Sequence, residues 1–191
     1  MLLVELLAPI IFLVAYWRFG LSLEFGLTVF WSCVFLIIIF MDFEHKLILN
    51  SITYPAMIIA IGLLSVDSFV PGVNLFGERL FIPVTSLYSG LIVAVIVAVP
   101  FFLIALLRPN SMGWGDVKLV VLIGLMSGFP FVISSLMIGI LIGGITAIFL
   151  LVFKKKNRKD VIPYGTFLAM GPIIALLADP YIMNWYIGLS K

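Results

Sequence analysis

Apolar stretches of bilayer-crossing length follow one another along nearly the whole of this 191-residue chain, and no other property limits its fold so tightly. Hydrophobic residues make up 64% of it and charged residues 10%, against roughly 45–50% and 25% in soluble domains. A water-soluble globule is excluded. Crossing a hydrocarbon core ~30 Å thick takes about 20 helical residues, because every backbone polar group must be bonded within the segment. Seven such spans use about 140 residues and leave only enough for loops. The expected fold is all-α, a polytopic membrane helical bundle of about seven or eight transmembrane helices. It forms one domain over residues 1–191, in contact with the lipid bilayer.

The first span runs from Met1 to Trp17 with one acid, Glu5, and lacks the basic start and small-residue cleavage site of a signal peptide. A second run extends from about Phe25 to Met41 and a third from about Ser51 to Val66, with the polar cluster Asp42 to Asn50 between them. Asp67 to Pro83 contains Pro71, Gly72, Gly77 and Pro83 and reads as an external loop or re-entrant turn. A fourth span ends at Leu107, and Arg108-Pro109-Asn110-Ser111 interrupts the hydrophobicity. The fifth run, Leu119 to Phe129, is separated by Pro130 from a sixth that reaches Phe153. After the basic run Lys154 to Lys159, a seventh extends from near Ile162 to about Ala178. The segment Pro180 to Lys191 either lies in the interface, where Tyr181, Trp185 and Tyr186 are at home, or forms a short eighth span.

Loop charge sets orientation. With Lys154 to Lys159 cytoplasmic, Lys46, Arg108 and Lys118 fall on the same side, and only Arg18, Arg79 and Lys191 lie outside. Asp42 and Asp116 then both stand at cytoplasmic helix ends. The net charge of +2 is too small for a nucleic-acid footprint, so no nucleic-acid partner is expected. The one cysteine, Cys33, and the one histidine, His45, offer no zinc-ligand spacing, and no metal or cofactor is expected.

An Asp near an apolar span is costly, about 2.5–3.5 kcal/mol at a helix centre and less near the interface. Two at the same depth call for a reason. If their helices are neighbours, Asp42 and Asp116 cannot both ionise easily, and one proton is shared between them. That is the chemistry of an aspartic protease, in which one carboxylate takes a proton from the attacking water while the protonated partner binds the carbonyl oxygen. Gly113 and Gly115 leave room for an extended substrate or a neighbouring helix. Asp116, at a helix N-terminus, is expected to be the ionised member. The plain alternative is that each Asp is a helix cap or a solvated end, and Gly-x-Gly alone is common in membrane turns.

Three segments together resemble the type IV prepilin leader peptidases, bacterial membrane aspartyl proteases of the Gly-x-Gly-Asp kind. They are Met41-Asp42-Phe43-Glu44-His45-Lys46-Leu47-Ile48-Leu49-Asn50, Gly113-Trp114-Gly115-Asp116-Val117-Lys118-Leu119, and Ile162-Pro163-Tyr164-Gly165-Thr166-Phe167-Leu168-Ala169-Met170-Gly171. The resemblance covers essentially the whole chain. It implies Asp42 and Asp116 as the catalytic pair, with Gly113, Gly115 and Lys118 supporting the motif. It implies prepilin or pseudopilin substrates, cleaved after a glycine on the cytoplasmic side of the bacterial inner membrane. Basic leaders would be repelled by Lys46 and Lys154 to Lys159 and attracted by Glu44. Three departures accompany the likeness. The cysteine-rich N-terminal segment linked to zinc and N-methylation has no counterpart here, so a peptidase-only or shortened chain without methyltransferase activity is expected. Leu49 and Thr166 stand where the family usually has proline, and neither departure alters the acids.

Other polar residues have simpler readings. Lys118 either snorkels to the interface or assists substrate or lipid binding, and His45 is a surface residue. Glu5 either bonds within the bundle or holds a substrate terminus. Cys33 and the methionines read as packing residues, and Gly139, Gly143 and Gly144 as a close helix contact. Two further function classes remain open. A small proton- or cation-coupled transporter would place ionisable groups at mid-depth on repeated, broken helices. A pilus-assembly scaffold would tolerate loss of both acids.

Overall fold

The computed structural model describes residues 2–69, 86–107, 112–153 and 163–189. Among these residues the chain is all-helical: α1 (Leu2–Phe19), α2 (Leu23–His45), α3 (Asn50–Phe69), α4 (Ser86–Leu107), α5 (Trp114–Ser127), α6 (Phe131–Val152) and α7 (Tyr164–Leu189). Three helices, covering Leu23–His45, Leu87–Leu107 and Phe131–Leu150, are long and apolar enough to cross a bilayer, and Asn50–Val66 and Tyr164–Ala178 are shorter apolar helices. The chain is a helical membrane protein. Most of the expected external loop, the Arg108 to Ser111 break and the basic run Lys154 to Lys159 lie outside the described residues. No eighth helix separates at Pro180, because α7 continues through it to Leu189.

The fifth apolar run proves different from a lipid-facing span. Helix α5 has 14 residues and buries Val117, Leu119, Val120, Leu122, Ile123, Leu125 and Met126 on all sides, the pattern of a helix enclosed by others. At 1.5 Å per residue it is ~21 Å long, short of the hydrocarbon thickness. Helices α3, α4, α6 and α7 surround it. Its core continues through Phe35, Ile38, Leu64, Ala94, Val132 and Leu168. Large apolar side chains such as Leu13, Trp17, Ile58, Ile96, Ile145 and Ile148 cover the outside, where acyl chains are the natural neighbours of an apolar exterior.

Small residues bring the helices to close contact. A β-carbon at Gly171 of α7 would press on the Ser135 carbonyl oxygen of α6, and one at Gly139 would stand 3.0 Å from Leu168 Cα. Gly143 faces Phe167, but Gly144 has nothing within 4 Å, so only two of the three glycines expected at this contact form it. Gly124 brings α5 equally close to Ala94 of α4.

Helix ends then determine what gathers at one end of the bundle. Lys46 adopts a left-handed backbone (φ 53°) and donates its N–H to the Asp42 carbonyl at 2.8 Å, ending α2 one turn beyond Asp42. Helix α5 starts after Gly113, which puts Asp116 in its first turn. Pro163 precedes α7, whose first turn carries Gly165 and Thr166. Three helix termini therefore meet.

Candidate active site

Asp42 and Asp116 are brought together and buried, at 5% and 9% exposure. A β-carbon at Gly165 would stand 3.1 Å from Asp42 Oδ2 and 3.0 Å from Asp116 Oδ1. The carboxylates are thus no further apart than those two distances end to end, and Gly165 is the bare backbone between them. Two carboxylates this close and this buried interact strongly with each other.

Their hydrogen bonds differ. Asp42 Oδ2 accepts the Thr166 backbone N–H at 2.5 Å and the Thr166 hydroxyl at 2.8 Å. That N–H is one of the donors left unpaired in the first turn of α7, where the helix field also favours an anion. Among the described residues Asp116 Oδ2 accepts the Gly113 N–H of its own helix start, at 3.3 Å. Asp116 is therefore a cap as well as a member of the pair, whereas Asp42 caps a helix that is remote in sequence. Among the described residues Asp42 accepts two donors from α7, one of them a hydroxyl, and Asp116 accepts one backbone donor from its own helix start. Thr166 and Gly165 were not among the expected site residues. The one signal for either was its place in the Ile162 to Gly171 segment that carries part of the resemblance.

The remaining expected residues fall around this centre. Gly113 starts α5 and donates to Asp116. Gly115 lies against Ile48, whose Cβ is 3.0 Å from where a β-carbon would stand. Lys118 points away from the pair: its Nζ donates to Asn50 Oδ1 at 2.8 Å and stands 5.1 Å from the centre of the Tyr54 ring, tying α5 to α3. His45 is at the surface beside Glu44, at 3.9 Å. Glu5 is exposed, and with Glu44, Cys33, Phe40 and Met41 it lines a groove of about 510 Å³ between α1 and α2. Cys33 is exposed there, not packed in the core. Among the described residues no three His, Cys, Asp or Glu side chains are grouped to hold a metal ion.

Two buried carboxylates thus stand at converging helix termini, with a glycine backbone beside both. A model described as the type IV leader peptidase family matches residues 29–148, which include both aspartates and the Gly-x-Gly-Asp motif. The chain is 30% identical over 187 residues to a prepilin leader peptidase/N-methyltransferase of Legionella pneumophila, covering 97% of this chain and 61% of that protein. It is 27% identical over 186 residues to a protein of the same name from Bacillus subtilis, covering 97% and 69%, and 29% identical over 191 residues to one from Xanthomonas campestris, covering 98% and 62%. It thus spans about three-fifths to two-thirds of the length of these relatives. No solved structure matches. The family match over most of the chain, and the near-complete alignment with these relatives, show that the chain belongs to the type IV leader peptidase family.

Proposed function

We propose that the protein is a membrane aspartic endopeptidase that removes the leader of prepilins or pseudopilins, cutting after a glycine at the cytoplasmic face of a bacterial inner membrane. The observation that carries this reading is the convergence of Asp42 and Asp116 on the bare backbone of Gly165. Asp42, held by the two Thr166 donors, acts as the carboxylate. Its other oxygen, Oδ1, takes a proton from water, and the hydroxide attacks the glycine carbonyl carbon. Protonated Asp116 gives its proton to the carbonyl oxygen as the tetrahedral intermediate forms. Asp42 then passes its proton to the departing amine while Asp116 recovers one from the intermediate, and the starting pair is restored. The steps are carried by side chains of this chain and one water. Family membership supports the substrate class, and the excess of basic residues on one side supports the orientation. A transporter would hold its ionisable groups at mid-depth, whereas both acids here stand in terminal helical turns.

The test is cleavage of a prepilin by the purified protein, with the scissile bond identified by mass spectrometry, beside Asp42→Asn and Asp116→Asn. Cleavage after the leader glycine is expected from the parent. Each variant, still folded, should lose at least about a thousandfold, since each removes half of the acid–base pair. Appreciable cleavage by either folded variant contradicts the paired mechanism.

A further inference from the structure

Ile48 stands on the connection between α2 and α3, two residues past the left-handed turn at Lys46. Leu47 beside it is exposed, but Ile48 is turned inward and packs against the core. Its side chain reaches over the first turns of both α5 and α7. The three atoms nearest to a β-carbon placed at Gly115 all belong to Ile48, at 3.0–3.4 Å. At Gly165 the three nearest are Ile48 Cδ1 at 2.8 Å, Asp116 Oδ1 at 3.0 Å and Asp42 Oδ2 at 3.1 Å. Ile48 therefore fills a small notch whose other boundaries are both carboxylates and two backbones without side chains.

A peptide bond can be hydrolysed here only if its carbonyl carbon comes within reach of both acids. The residue carrying that carbonyl must then set its α-carbon at this notch. The glycine walls carry no side chain, and no substitution at those positions can make them roomier. Ile48 is the adjustable wall, and its Cδ1 is the nearest atom to a β-carbon placed at Gly165, at 2.8 Å.

We propose that Ile48 is the specificity-determining side chain of the site, limiting the residue whose carbonyl is attacked to glycine. The inference rests on the peptidase reading above and names the group that enforces its selectivity. A substrate glycine requires only the terminal methyl group of Ile48 to swing aside by rotation about its outer side-chain bond. Alanine or serine at the same place meets the isoleucine, in a pocket whose other sides are backbone and buried carboxylate. Truncating position 48 moves that boundary outward and admits a larger substrate residue.

The test uses the full chain and prepilin peptides that differ only in the residue before the scissile bond, glycine, alanine or serine, competing in one reaction and read by mass spectrometry. The quantity is the ratio of kcat/KM for alanine over glycine, which does not depend on how much of the preparation is folded. The parent is expected to favour glycine strongly. Ile48→Ala should raise the ratio about tenfold or more and Ile48→Val by a smaller step, since one methylene changes selectivity by about 10- to 200-fold. Ile48→Val carries the test where Ile48→Ala does not fold. An unchanged ratio in the folded variants, with glycine cleavage intact, overturns the role of Ile48 and leaves the peptidase reading standing. A folded parent that cleaves none of the peptides overturns both.

Discussion

At Thr166 a backbone N–H and a hydroxyl converge on one oxygen of a carboxylate 124 residues earlier in the chain. In a buried site a charged acceptor gains more from such donors than a neutral one, about 1.5–3 kcal/mol each. Thr166→Val keeps the shape and the N–H but removes the hydroxyl. Steady-state kinetics on a prepilin peptide should show kcat lowered about ten- to a hundredfold with KM little changed, while Thr166→Ser keeps the parental rate. A loss of the same size in both variants would point to packing instead of positioning. The acids themselves were legible in sequence, since charge beside an apolar span is rare and the Gly-x-Gly-Asp spacing is distinctive. The threonine was not. Its contact joins elements far apart in the chain, and a side chain that bonds only across the fold leaves no local pattern.

Between elements, the same glycines that look alike in sequence behave differently. Gly139 and Gly143 are four apart and share a helix face, whereas Gly144 is rotated about 100° away from Gly143 and meets no neighbour. A methyl group at Gly171 must displace the backbone of α6 at Ser135, so Gly171→Ala should destabilise by about 1–3 kcal/mol. Gly144→Ala meets open space and should be neutral or slightly stabilising, because alanine is the better helix former. Thermal unfolding of the two variants in detergent separates these outcomes. Helix positions were legible to within a few residues for α1, α2, α3 and α6, but α7 runs on past the expected end near Ala178 to Leu189. Helix starts were less so: Gly-Trp-Gly-Asp reads as a polar interruption before Leu119, yet α5 begins at Trp114 because the Asp116 carboxylate bonds back to Gly113. Neither the enclosure of α5 nor its shortness shows in periodicity, since a helix apolar on every face has no stripe to read.

For the whole molecule, the charge distribution implies a direction in the membrane that side-specific labelling can check. In a Cys33→Ala background, cysteine placed at Leu47, which is 65% exposed, should react with an impermeant maleimide only from the cytoplasmic side. Cysteine at Leu21, 85% exposed in the turn between α1 and α2, should react only from the opposite side. The reverse pattern would put the paired acids on the outer face and remove the basis for cytoplasmic cleavage. The dependence of Asp42 on Thr166 also bears on how such a protein is made. Asp42 and Asp116 are both synthesised before α7, and the donors that hold Asp42 emerge from the ribosome only as α7 is translated. Partly inserted chains therefore carry the acids without the arrangement that holds them. Biogenesis itself delays the site until α7 has joined the bundle.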